Sequence, residues 1–315
     1  MQWIRDYRPR PEESRLYRNA LIVTVAGNVF LAVSKGIVAY LSRSVALYAD
    51  AANSASDVLY SMLMVLGLWM SQRPPDLSHP QGHSRFEPLV GLAVAFSMAF
   101  AGYEAARASL VRFQTGGLAV EPGLPTLILL VSAAVKAGMF LYIRGIARKL
   151  GSPALNVTAR DHLSDVLTSV AAFVGIYGSK YIHPLADPIA GFLVAAWIFR
   201  AAFGAILENI GFLTGAGADS GLRDRIVQIA AEVPGVTMVH HTMTDYVGPR
   251  LVIDMHINVD GEITLNQAHA IADQVIARLE ALPEVDRAYV HVEPQGWEDP
   301  PHEPVDSAGN PSSAR

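Results

Sequence analysis

Six apolar stretches, each long enough to cross a bilayer, fill the first two thirds of this chain and leave it few folds to adopt. A transmembrane helix needs roughly 20 predominantly apolar residues. Stretches of that kind run over 17–41, 45–70, 88–112, 122–147, 155–181 and 187–209. Lipid offers no partner to a backbone N–H or C=O, so such segments are expected to be α-helices. The chain is 51% hydrophobic and only 17% charged, below the roughly 25% charged content of an ordinary soluble domain. Sixteen polar, Arg-rich residues precede the first stretch. It is longer than the roughly 7–15-residue apolar core of a signal peptide, so it is expected to be retained as a span.

Orientation follows from the placement of Lys and Arg. The N-terminal arm (Arg5, Arg8, Arg10, Arg15, Arg18), the loop after the second span (Arg73, Arg85) and the end of the fourth (Arg144, Arg148, Lys149) are basic. The alternate loops carry only Arg43 and Lys180 at their margins. Both termini are therefore expected on the cytoplasmic side. Short loops and compact length suggest a bacterial inner membrane.

The composition changes near Gly215. Beyond it the pattern reads helix 222–232, a break at Pro234-Gly235, strand 236–246, a turn at Gly248-Pro249, strand 250–259, helix 264–281 and strand 285–293. Leu251, Ile253, Met255 and Ile257 alternate with polar residues, as in a strand with one buried face. The expected organisation is an N-terminal arm (1–16), a six-span domain (17–212), a small α+β domain (213–296) and a disordered tail (297–315) rich in Pro, Ser, Gly and acid.

The chain contains no Cys, which excludes disulfides, thiolate metal sites and a cysteine nucleophile. Its net charge of −5 shows no basic excess, so nucleic acid is not expected as a partner. Any metal must be held by His, Asp, Glu or Asn.

Ionisable groups within spans cost about 2.5–3.5 kcal/mol each on insertion scales, so each asks for a reason. The second span contains Asp50, Asn53 and Asp57, and the fifth contains Asp161, His162 and Asp165. Residues four apart share a helix face, so Asn53 with Asp57 and Asp161 with Asp165 form two pairs of oxygen donors able to share one divalent cation. In the other reading the carboxylates are protonated, or pair with Lys35 and Lys136 and join helices. His162 projects about 100° from the Asp161–Asp165 pair on an ideal helix. It either enters the site through a distorted helix or bonds to a neighbouring one. Asp50, one turn from Asn53, either relays metal and protons or caps a vestibule. No His-Glu-x-x-His motif occurs, and a metalloenzyme is not expected.

The strings SVALYADAANSASDV, HPQGHSRFEPL, ARDHLSDV and the PGV that opens the C-terminal domain occur in this order across six spans. In this the chain resembles the cation diffusion facilitator family, proton-coupled exporters of divalent metals. The resemblance implies that Asn53, Asp57, Asp161 and Asp165 form the transport site, that protons are the coupling ion, and that the protein is a homodimer and not an enzyme. Zinc members typically carry His at the first position of one or both pairs, and here the positions hold Asn53 and Asp161. Oxygen donors suit Mn²⁺ and tolerate Fe²⁺, whereas imidazole favours Zn²⁺. The pattern is similar to that of the manganese-exporting members, and Mn²⁺ is expected ahead of Fe²⁺, Zn²⁺, Co²⁺ and Cd²⁺. A channel or a non-transporting metal sensor is the rival reading.

Two further groups are metal candidates. Asp76, His79 and His83 have spacings that converge on a metal and resemble an auxiliary loop site of some members; otherwise they are ordinary loop residues. The C-terminal domain holds five of the ten His residues, His240, His241, His256, His269 and His291, with Asp254 and Glu293 nearby. The resemblance implies a metallochaperone-like, ferredoxin-like fold that binds metal at a dimer interface through His240, His256, His291 and Glu293, with His269 as a further contributor. Otherwise these are solvated strand residues. Finally, in relatives a basic residue after the loop's Gly-His pairs with an acid beyond the sixth span. Arg85 fits the first role, but Gly215 occupies the acid's position, which leaves Glu208 as the substitute.

Overall fold

The structure is a computed structural model that describes Ile4 and residues 10–42, 45–116 and 124–296. The 297–315 tail and most of the N-terminal arm lie outside the described residues. Six long helices come first: α1 (Pro11–Ser42), α2 (Val45–Ser71), α3 (Phe86–Gln114), α4 (Leu124–Leu150), α5 (Pro153–Tyr181) and α6 (Ala186–Leu213). Five of them contain their expected spans and exceed them at one or both ends; α4 covers the fourth from Leu124, since 122 and 123 lie outside the described residues, and runs three residues past its expected end. Helix α1 takes in the last residues of the polar arm, because Glu12 and Glu13 in its first turn suit the positive end of the helix dipole.

Five of these helices are long and apolar enough to cross a membrane on those grounds alone. The exception is α5, whose 29 residues include Arg160, Asp161, His162 and Asp165. Its neighbours explain how it is accommodated, since α5 packs against α3, α4 and α6. Two apolar clusters surround it. One joins Tyr17 and Ala20 of α1, Met64 and Leu68 of α2, and Ile143 of α4 to Leu155. The other joins Val94 and Met98 of α3 and Ile198 and Ala202 of α6 to Val157. The bundle is inverted relative to a soluble core, because large apolar side chains such as Phe30, Trp69, Phe100, Leu141 and Phe203 point outward, where lipid solvates them as well as a core would.

The start of α5 is tightly specified. Pro153 follows the N-cap Ser152, whose hydroxyl accepts from the Leu155 N–H at 3.1 Å. The same hydroxyl donates to Glu87 Oε1, while Tyr17 Oη donates to Glu87 Oε2 at 2.9 Å. Glu87 is 2% exposed, and its two oxygens thus tie α1, α3 and α5 at one end of the bundle.

The chain divides into two compact units, the second comprising most residues beyond Gly217. It contains α7 (Ser220–Ala231), β1 (Met238–Val247), β2 (Arg250–Val259), α8 (Leu265–Glu280) and β3 (Val285–Pro294), with sheet order β1-β2-β3. Only Gly248 and Pro249 separate β1 from β2, and so short a connection joins antiparallel neighbours. Gly248 takes φ 70°, a conformation open to glycine at little cost. Strand β3 returns through α8 to lie parallel to β2, with His256 opposite His291 and Asn258 opposite Glu293. Leu251, Ile253, Met255 and Ile257 are fully buried on the sheet's apolar face, as are Ile226 of α7 and Val275 and Leu279 of α8. Alternation therefore carries His256 and Asn258 to the opposite face.

Candidate metal centres

Within the bundle, charged groups of α2, α4 and α5 converge. Lys136 of α4 is 4% exposed, and its Nζ lies 2.9 Å from Asp57 Oδ2 and 2.6 Å from Asp165 Oδ2. Asp161, His162 and Asp165 each offer a ligating atom, and these atoms lie within 4.8 Å of one another. A cavity of about 20 Å³ opens beside them, lined by Asn28, Asp57, Ser61, Thr158, Asp161 and His162 among others. That volume is enough for one water-sized occupant.

His162 is 1% exposed, and neither of its ring nitrogens has a hydrogen-bond partner among the described residues. The expected alternative, a bond to a neighbouring helix, is therefore not what the structure contains. The simple projection that set His162 apart from the pair fails because α5 is enclosed by other helices, so flanking positions are interior too. A buried polar group without a partner costs about 1–3 kcal/mol, and a ligand in the cavity would recover that cost.

Asn53, one turn before Asp57 on α2, is exposed. Positions four apart on a helix still differ by about 40° around the axis. Asp57 turns inward to Lys136 while Asn53 lies beyond the edge of the buried face. Asp50 accepts an ion pair from Lys35 at 2.8 Å, which joins α1 to α2. The anticipated pairing of the carboxylates with Lys35 and Lys136 is thus present, with Lys136 seated among the proposed ligands themselves.

The loop between α2 and α3 closes on itself. Asp76 Oδ1 accepts from the His79 backbone N–H at 2.7 Å, which holds the Asp76 carboxyl below the usual range for an aspartate. Asp76 also lies 3.3 Å from His79 Nδ1 and 3.4 Å from His83 Nε2. The Nδ1 of His83 is 3.1 Å from the Pro74 carbonyl, which makes Nδ1 the protonated nitrogen and leaves Nε2 free to ligate. These three residues form one compact group of ligating atoms.

The third group lies on the sheet of the C-terminal unit. Glu293, 5% exposed, is 3.2 Å from His240 Nε2, 3.0 Å from His256 Nδ1 and 3.5 Å from His291 Nε2. His240, His256 and Glu293 have ligating atoms close enough to share an ion. The parallel register places His291 beside His256, and their rings are 4.9 Å apart. Asn258 had not been anticipated. Its Oδ1 lies 2.9 Å from His240 Nδ1, which orients the ring with Nε2 toward Glu293. Its position two residues beyond His256 on the same strand face was the available signal. His269 does not join: it is exposed and lies 3.6 Å from Asp273 on its own helix. The His241 ring is 4.8 Å from that of His256. Glu208, the anticipated substitute partner of Arg85, pairs with Arg160 at 2.9 Å.

Comparison with known proteins gives a consistent picture. Residues 21–214 match the family model described as the cation efflux transmembrane domain, and residues 218–295 match that of the cation efflux protein cytoplasmic domain. An uncharacterised transporter of Methanocaldococcus jannaschii is 36% identical over 87% of this chain and 96% of its own. The manganese efflux system protein MneS of Bacillus subtilis is 28% identical over 90% of this chain and 98% of its own. The magnetosome protein MamM of Magnetospirillum gryphiswaldense is 32% identical over 81% of each chain. A solved nickel form of a MamM C-terminal domain is 35% identical and covers 24% of this chain and 99% of its own, with a TM-score of 0.24.

Proposed function

Because this chain belongs to the cation efflux family, we propose that it exports a divalent transition metal from the cytoplasm in exchange for protons, with Mn²⁺ as the first substrate. One observation carries the proposal: Asp57, Asp161 and His162, whose ring nitrogens have no hydrogen-bond partner among the described residues, line a polar cavity inside a bundle of membrane helices, with Asp165 grouped beside Asp161 and His162. Carboxylates ligate only when ionised, so protons and metal compete for the same oxygens. With the site open to the cytoplasm, the carboxylates bind the ion. After the bundle rocks, protons entering from outside displace it. Asn53 joins the donor set when α2 turns toward α5, a rotation within the range that alternating access demands.

The preference for Mn²⁺ rests on a donor set in which carboxylates outnumber imidazole. The likeness to MneS supports it. His162 supplies one nitrogen, which brings Fe²⁺, Co²⁺, Cd²⁺ and Zn²⁺ within reach. The His-rich face of the C-terminal domain suits a sensor of cytoplasmic metal, the family's cytoplasmic domain supports a homodimer with both termini in the cytoplasm, and the short loops and compact length are in keeping with a bacterial inner membrane.

The test is flux in proteoliposomes under an imposed pH gradient, with Mn²⁺, Fe²⁺, Co²⁺ and Zn²⁺ compared. Mn²⁺ should move fastest, and collapse of the gradient should stop it. Asp57→Ala should abolish flux, and retention of parental flux would remove the transport site from this position. Zn²⁺ moving as fast as Mn²⁺ would make His162 a dominant ligand and end the manganese preference.

A further inference from the structure

The Lys136 ammonium occupies the middle of the donor set. It reaches Asp57 on α2 at 2.9 Å and Asp165 on α5 at 2.6 Å, so a residue of α4 bridges the two helices that carry the carboxylates. Its side chain is 5% exposed, and every charged or titratable group of the cluster besides Lys136 is a ligand candidate: Asp57, Asp161, His162 and Asp165. The next cation, Lys35, is engaged one turn or more away with Asp50. Three half-buried carboxylates held together repel one another, and one ammonium reduces their summed charge from −3 to −2.

We propose that Lys136 is a resident cation of the transport site, which ties α2 to α5 in the metal-free state and is exchanged for the incoming divalent ion. The proposal rests on the reading of Asp57, Asp161 and Asp165 as the transport site. Its logic is competition. A divalent ion that takes Asp57 and Asp165 must break two charge-assisted contacts to the ammonium, so part of its binding energy is spent on releasing Lys136. The same release unties α2 from α5. Metal binding and helix movement are thereby linked through one side chain, and a monovalent ion, with half the charge, competes poorly for the same oxygens.

The exchange makes the affinity of the site depend on Lys136 in a direction opposite to that of a ligand. Lys136→Gln removes the competing charge and keeps a polar side chain of similar length. The purified full-length protein, reconstituted in nanodiscs, is titrated with Mn²⁺ by calorimetry, and the component of the isotherm that Asp57→Ala removes is assigned to the transport site. Lys136→Gln should tighten that component by about tenfold or more while slowing Mn²⁺ flux in proteoliposomes. Lys136→Arg retains the charge and adds a bidentate grip on carboxylates, and it should weaken the component. Unchanged or weaker Mn²⁺ binding by Lys136→Gln would overturn the exchange. Should that variant not fold, Mn²⁺ binding by Lys136→Arg as tight as the parent's would do so. If Asp57→Ala removes no component at all, the transport-site reading fails and the exchange falls with it; if Asp57→Ala removes one and the Lys136 variants leave it unmoved, the exchange alone fails.

Discussion

The membrane cluster and the cluster on the C-terminal sheet use similar residues in opposite ways. Around Asp57, Asp161 and Asp165, acid dominates, and an internal lysine balances part of the charge. Around Glu293, imidazole dominates: three His residues lie within 3.5 Å of one carboxylate, and their side chains are 24%, 27% and 63% exposed for His240, His256 and His291. Water explains the contrast. A solvated face can leave its ligands open between binding events, since neutral imidazole costs little there. Clustered carboxylates within a lipid-surrounded bundle are stabilised by a counter-cation between binding events, because poorly solvated charge without a partner is costly. On the proposed reading, the sheet cluster holds an ion and the membrane cluster exchanges one cation for another.

The comparison breaks most clearly on paired variants. Asp57→Ala should reduce metal flux by on the order of 100-fold or more, since it removes a proposed transport ligand. Glu293→Gln should weaken metal binding at the C-terminal site by roughly 100-fold while leaving flux within several-fold of the parent. Calorimetry and vesicle flux on the same preparations check both, and equal losses of flux would erase the distinction between carrier and sensor sites.

A second test concerns what holds the bundle together apart from its charges. A Cβ at Gly91 would sit 2.2 Å from Oδ1 of Asn209, a fully buried side chain whose Nδ2 donates to the Ala205 carbonyl at 2.8 Å. Small residues let membrane helices approach closely. Gly91→Ala should therefore destabilise the contact between α3 and α6 by about 1–3 kcal/mol, read as a lowered thermal midpoint in detergent. No loss of stability would mean that Asn209 can swing aside freely.

The smallest expected effect sharpens the sheet cluster. Asn258→Ala leaves every ligand in place but frees the His240 ring to rotate. Metal affinity there should fall by about tenfold, with the fold unchanged by circular dichroism. An unaltered affinity would show that Glu293 alone orients His240.

Much of this was legible in the sequence, for identifiable reasons. Helix spans follow from the length of apolar runs, and β2 was placed at 250–259 with both ends as observed, because alternation and the Gly248-Pro249 turn act locally. The Asp76, His79 and His83 group could be seen because its members lie within one short loop. His240, His256, His291 and Glu293 were named through a family resemblance, and the parallel register of β2 and β3 then showed why His256, His291 and Glu293 meet. The sequence leaves two placements open: whether His162 turns toward the carboxylates or toward a neighbouring helix, and whether His269 contributes to the sheet cluster. Each judgement required knowing which faces of a helix its neighbours cover.

By itself the sequence determined that this chain forms apolar helices followed by a small α+β domain, and that acids lie within two of the spans, because periodicity and hydrophobic length are properties of neighbouring residues. Only the tertiary structure decided that Lys136 bridges Asp57 and Asp165, and that His162 lines the cavity with no hydrogen-bond partner among the described residues. Those outcomes depend on how α2, α4 and α5 are rotated and packed. That rotation is set by the sum of many contacts between residues far apart in the chain, and no local pattern records it.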